Sequence, residues 1–130
     1  MEISEKEKER NDAENEERKK ETGMKRIKVI IKRPDEKYGH VTNISDSLEN
    51  LQRTVGGPIE IVNIGGGAVC ICNEEGKING LEKNFIIGTE HIVIDRIVGT
   101  AIIAGYYGPE LEDCPLSFGT WKKLLENWGN

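Results

Sequence analysis

Aromatic residues are scarce in this chain: two tryptophans, three tyrosines and two phenylalanines make up 5% of its 130 residues. Each ring therefore carries a large share of the apolar area available for burial. Cysteine is as sparse. Cys70, Cys72 and Cys114 form an odd set, and no charged-then-apolar leader precedes them, so no disulfide framework is expected and the sequence reads as a reduced, cytoplasmic protein. No apolar run approaches the length of a membrane span, which argues against a membrane partner. Only two histidines occur, His40 and His91, and they show neither H-x-x-x-H nor H-E-x-x-H spacing. The C-x-C of Cys70 and Cys72 has no second cysteine or histidine pair to complete a zinc set, and no serine stands in a G-x-S-x-G elbow. No metal, no cofactor and no catalytic residue is expected.

What is abundant is charge, at 32% of residues, and it is localised. Residues 1–23 hold nine acids and six bases, a net −3 out of the chain's −5. The remainder, 24–130, is close to neutral and is read as one domain, with no electrostatic grip on a nucleic acid polymer. Ser4-Glu5-Lys6-Glu7 fits a capping box, and Glu14/Arg18 and Glu16/Lys20 have helix-supporting spacing. The segment has no apolar stripe to bury. It reads as a charged helical arm, either a solvated appendage or one ordered by charge pairing with another subunit.

Beyond Gly23, Ile27, Val29 and Ile31 alternate with Lys28, Ile30 and Lys32 in a β-branched run that stops at Pro34, predicting a first strand. Arg33 to Lys37 reads as a turn, and Tyr38 to Ile44 as a strand pairing back. Asp46-Ser47-Leu48-Glu49 offers an N-cap with a glutamate three residues on. Leu48, Leu51 and Val55 then give one apolar helix face before Gly56-Gly57-Pro58 ends it. Ile59 to Ile64 and Val69 to Cys72 predict two strands, with Gly65-Gly66-Gly67 between them. This triple glycine matches neither phosphate-loop spacing and is read as a hairpin turn. Cys70 and Cys72 share one face of their strand as small buried apolar groups. Ile86-Ile87, Ile92 to Ile94 and Ile97 to Ala104 supply the core strands, with a bulge or bend at Asp95-Arg96. Trp121, Leu124, Leu125 and Trp128 at i, i+3, i+4 and i+7 predict an amphipathic closing helix that lids the sheet. The sum is an α+β fold: a small, mostly antiparallel sheet with two short packing helices and the charged N-terminal arm.

The stretch ICNEEGKINGLEKN, Ile71 to Asn84, raises the one catalytic question. Glu74 and Glu75 are adjacent, so on a strand they point to opposite faces and in a turn they diverge, which disfavours a carboxylate pair at one scissile bond. Asn73 to Gly76 has the chemistry of a turn.

Taken with Val55-Gly56-Gly57-Pro58-Ile59-Glu60-Ile61-Val62 and Ile97-Val98-Gly99-Thr100-Ala101-Ile102-Ile103, this stretch resembles a small domain-of-unknown-function family common in firmicute phages and mobile elements. Pro58 stands where an aromatic would be expected. The size, the helical extension and the phage setting also resemble the Thoeris anti-defence sponge proteins of phages. That resemblance implies a cytoplasmic homo-oligomer in a bacterial host cell that sequesters a nucleotide-derived, cyclic immune signal without cleaving it.

The residues that suit such a ligand are arginines for phosphate, chiefly Arg96 and also Arg26, and rings for base stacking, Phe85 and Tyr106. Asn84 and Asn79 offer a donor and an acceptor on one amide for a base edge. Each has a structural alternative: edge charges, core rings and satisfied loop asparagines. Two rival functions stand beside this one. The first is a non-enzymatic accessory protein that acts through protein–protein contact by the arm or the Trp121/Trp128 helix. The second is a nucleotide-directed enzyme that depends on Glu74 or Glu75.

Overall fold

The computed structural model describes residues 25–89 and 91–130; the charged arm expected over 1–23 lies outside the described residues. Strands β1 (Arg26–Lys32), β2 (His40–Ser45), β3 (Ile59–Gly65), β4 (Ala68–Asn73), β7 (Ala101–Tyr107) and β8 (Glu110–Glu112) form one six-stranded antiparallel sheet. Its order is β2-β1-β7-β4-β3, with β8 paired to the far end of β7. Strands β5 (Lys83–Gly88) and β6 (Val93–Val98) form a separate two-stranded hairpin. The helices are α1 (Leu48–Val55) and α2 (Phe118–Asn127). The expected α+β class and mostly antiparallel sheet are what the chain adopts.

The sheet is buried on both faces. Ile27, Val29, Ile31, Val69, Ile71, Ile102 and Ala104 pack under Leu51 and Val55 of α1. On the opposite face Ile30, Ala68, Cys70, Cys72, Ala101 and Ile103 lie under Phe85, Ile87 and Ile97 of the hairpin and Trp121, Leu125 and Trp128 of the closing helix and its cap. Burial from both sides is why β4 and β7 read as unbroken apolar runs and not as alternating ones. Both cysteines of β4 are buried, as their shared strand face predicts.

Local chemistry sets the element ends. Ser47, one residue after Asp46, is the N-cap of α1, its hydroxyl accepting from Asn50 N–H at 3.1 Å. Asp46 instead accepts from the backbone N–H of Lys25. The β3–β4 hairpin turns through Gly66 and Gly67, both at positive φ, so the triple glycine acts as a turn. The apolar stretch 97–104 is divided at Gly99-Thr100 between β6 and β7, which belong to different sheets. After β8 the chain wedges beside β1, where Asp113 accepts from Lys28 N–H and Cys114 N–H donates to Lys28 carbonyl, each at 2.7 Å.

Candidate functional site: a polar groove where three segments meet

Asn73 ends β4 and is 6% exposed. Its amide nitrogen donates to the Val55 carbonyl at 3.3 Å, and its amide oxygen accepts from Glu75 N–H at 2.8 Å. The second bond is an Asx turn, which fixes the start of the 74–80 loop. Glu74 N–H donates to Pro58 carbonyl, Leu81 N–H to Gly76 carbonyl, and Gly99 N–H to Glu82 carbonyl. The three segments that carry the family resemblance are thus joined by backbone and amide hydrogen bonds at one end of the molecule. Gly57 belongs to this joint through close approach, since a Cβ there would stand 2.8 Å from the Asn73 amide nitrogen. Gly57→Ala is expected to push Asn73 off Val55 and cost about 1–2 kcal/mol, the loss of one buried hydrogen bond plus strain. Urea denaturation measures it, and a change within error would show that the amide relaxes freely.

On this joint lies a small polar groove lined by Glu60, Glu74, Lys77, Asp95 and Arg96, with Cys72 among its lining residues. Lys77 Nζ stands 3.0 Å from Asp95 Oδ1, and the same oxygen accepts from Arg96 N–H at 2.7 Å. The Arg96 guanidinium carries no ion pair among the described residues. Cys70 and Cys72 share one strand face, and the interaction of their thiols holds Cys72 below its usual range against the opposing effect of burial, while the same interaction and burial together raise Cys70 well above it. With a cavity of about 30 Å³, the groove has room for water or one ligand group. A nucleotide needs several hundred Å³.

The six residues singled out from the sequence do not converge. Arg96 lines the groove, and Asn79 lies exposed in the adjoining loop, its N–H donating to Glu75 carbonyl. Phe85 is 4% exposed, edge-on to Trp121 at 5.6 Å and stacked with Trp128 at 6.1 Å between centroids. Asn84 uses its whole amide within the chain, donating to the carbonyls of Lys32 and Gly99 at 2.7 Å each and accepting from Lys32 Nζ at 2.6 Å. Arg26 donates to the Asn43 carbonyl on β2. Tyr106 shares the α1 face of the sheet with Ile102 and Ala104, and its hydroxyl accepts from Asn63 Nδ2 at 3.3 Å. Glu74 lines the groove and Glu75 does not.

Sequence reasoning overlooked Glu60 and Lys77. Their signal is three-dimensional: the β3–β4 register sets Glu60 opposite Cys72, and the loop carries Lys77 onto Asp95.

Among the described residues no group of three His, Cys, Asp or Glu side chains is placed to hold a metal, and no helix is long and apolar enough to cross a membrane. Neither a curated protein nor a solved structure matches the chain. A family model does match, over residues 27–128, which takes in every strand and helix above except the first residue of β1. The chain belongs to the family described as Domain of unknown function (DUF3846).

Proposed function

We propose that this protein is a phage or mobile-element anti-defence protein that binds a nucleotide-derived anion and holds it without breaking a bond. The observation that carries this reading is Arg96, an exposed residue whose guanidinium has no ion pair among the described residues and which lines a groove built on a hydrogen-bonded joint. A guanidinium fork on a rigid strand suits a phosphate, and Lys77 beside it adds a second donor once Asp95 is displaced. The base edge would be met by the exposed loop, where Asn79 projects, since Phe85 and Asn84 are engaged in the interior. A groove this small takes one phosphate from one chain, so full enclosure of the ligand requires a second subunit.

Calorimetry with a panel of adenine-containing cyclic nucleotides tests the reading, followed by recovery of the ligand from denatured protein. Binding with intact recovery is expected, and Arg96→Ala should weaken it at least about tenfold, the worth of one charge-assisted contact. Absence of heat with every ligand of the panel sinks the idea, as does recovery of a cleaved product.

A second reading, contact with a host or phage protein, is favoured by one observation. Ile92 and Ile94 at the hairpin tip are 64% and 68% exposed. Apolar residues this open mark a contact surface. Ile92→Lys with Ile94→Lys separates the two readings: it abolishes capture of a protein partner and leaves nucleotide heat intact.

A further inference from the structure

Besides the three-residue β8, four strand edges are open among the described residues, and side chains engage backbone groups on three of them. On β2 the Asn43 carbonyl accepts from Arg26 at 3.0 Å and the Ser45 carbonyl from Asn50 at 2.9 Å. On β5 the N–H and carbonyl of Ile86 are both taken by the Asn130 amide, each at 2.9 Å. On β6 the N–H of Arg96 is taken by Asp95. Such local caps remove the template that an unpaired strand presents to another chain.

The β3 edge is treated differently. Glu74 N–H donates to Pro58 carbonyl, which makes Pro58/Glu74 a bonded position of the β3–β4 ladder. With Glu60 opposite Cys72 and Val62 opposite Cys70, the alternation of an antiparallel pair turns the N–H and carbonyl groups of Ile59, Ile61 and Asn63 outward. No side chain among the described residues caps them. The strand holds neither lysine nor proline, Glu60 is its one charge, and Ile61 is 52% exposed.

We propose that β3 is a dimerisation edge whose occupant is a second copy of this chain, paired antiparallel about a two-fold axis through Ile61. That register places Ile61 against the partner's Ile61 and Ile59 against the partner's Asn63, so every outward group on the strand meets its complement. Charge supports the same register. Glu60 falls opposite the partner's Val62, and the two glutamates do not face each other across the ladder. The irregularity between Asn63 and Gly65 ends the pairing. Because Glu60 also lines the polar groove, the pairing sets two grooves on one face of a continuous sheet, each beside the partner's strand. This link to the groove rests on the ligand reading above; the strand pairing does not.

Light scattering and sedimentation of the full chain test it. The wild type is expected as a dimer. Ile61→Pro should halve the mass while leaving the far-ultraviolet spectrum unchanged, because the Ile61 N–H has no partner among the described residues and proline is tolerated on an edge strand. Ile61→Lys should do the same by setting two charges opposite each other, and it decides the matter if the proline variant fails to fold. Val41→Lys on the capped β2 edge should remain dimeric. A monomeric wild type, or a dimer that survives Ile61→Lys, overturns the proposal. A dimer that gives no heat with nucleotides overturns only the ligand reading.

Discussion

Asn84→Leu is expected to destabilise the fold by about 3–5 kcal/mol, more than any surface substitution in the molecule. The amide holds three strands together: Asn84 is the second residue of β5, Lys32 ends β1, and Gly99 lies in the turn from β6 to β7. Two neutral hydrogen bonds contribute about 1 kcal/mol each, and the bond from the Lys32 ammonium about 1.5–3 kcal/mol. Lys32 is 3% exposed, and burial already lowers its pKa, opposed by the charges of Glu36 and Asp35. With Asn84 gone the ammonium keeps the Glu36 carbonyl at 2.7 Å and the face of Phe85, and the carbonyls of Lys32 and Gly99 lose their donor. Asn84→Asp is expected to fall between wild type and leucine. It keeps an acceptor for Lys32 but turns a carboxylate toward two carbonyls. For a domain of roughly 100 residues the leucine variant should melt about 15 °C lower or more. Thermal unfolding followed by circular dichroism measures it. A loss below about 1 kcal/mol would mean that the amide is replaceable and leave Asn84 free for a ligand.

Much of the fold was legible because the sequence states local periodicity directly. Leu51 and Val55, and later Trp121, Leu125 and Trp128, mark the buried faces of the two helices, while Leu48, expected on the same face as Leu51, stands 57% exposed at the start of α1. The glycines after Ile64 mark the tight hairpin. Pairing order was not legible, since β4 and β7 are covered on both faces and their apolar runs lose the alternation that would distinguish one face from the other. Nothing in the sequence announces that β7 inserts between β1 and β4, or that a three-residue β8 extends the sheet. Lys32 continues the alternation of Lys28, yet it is buried, because the turn at Arg33–Glu36 folds over it.

The candidate site was less legible for a related reason. Asn84 and Phe85 sit where the β5–β6 register shifts, and that irregularity decides which side chains enter the core. Arg96 was identified by its charge within an apolar stretch. Its neighbours Glu60 and Lys77 come from other elements, and only the β3–β4 pairing and the loop fixed by Asn73 bring them to it.

Trp121→Ala is the second large effect expected, about 4–5 kcal/mol, and it tests how the groove wall is held. The hairpin that carries Asp95 and Arg96 reaches the sheet through Phe85, which meets Trp121 edge-on and stacks with Trp128. Trp121 is fully buried, contacts Trp128 edge-on at 6.0 Å, and donates its indole N–H to the Tyr38 carbonyl at 2.8 Å. Truncation to alanine removes the transfer energy of an indole and leaves a cavity at the centre of the cluster. Trp121→Phe keeps a ring in the cluster but abandons the Tyr38 carbonyl, and should cost about 1–3 kcal/mol. The damage should be directional. Hydrogen exchange in β5 and β6 is expected to accelerate more than in β1 and β2, because β1 sends only Ile30 into this cluster and packs Ile27, Val29 and Ile31 under α1, with Ile44 of β2 beside them. If Arg96 acts from a hairpin pinned by these rings, nucleotide heat should weaken in Trp121→Ala at temperatures where the sheet is still folded. Uniform acceleration across all strands would show instead that hairpin and sheet unfold as one unit, with the wall no looser than the rest.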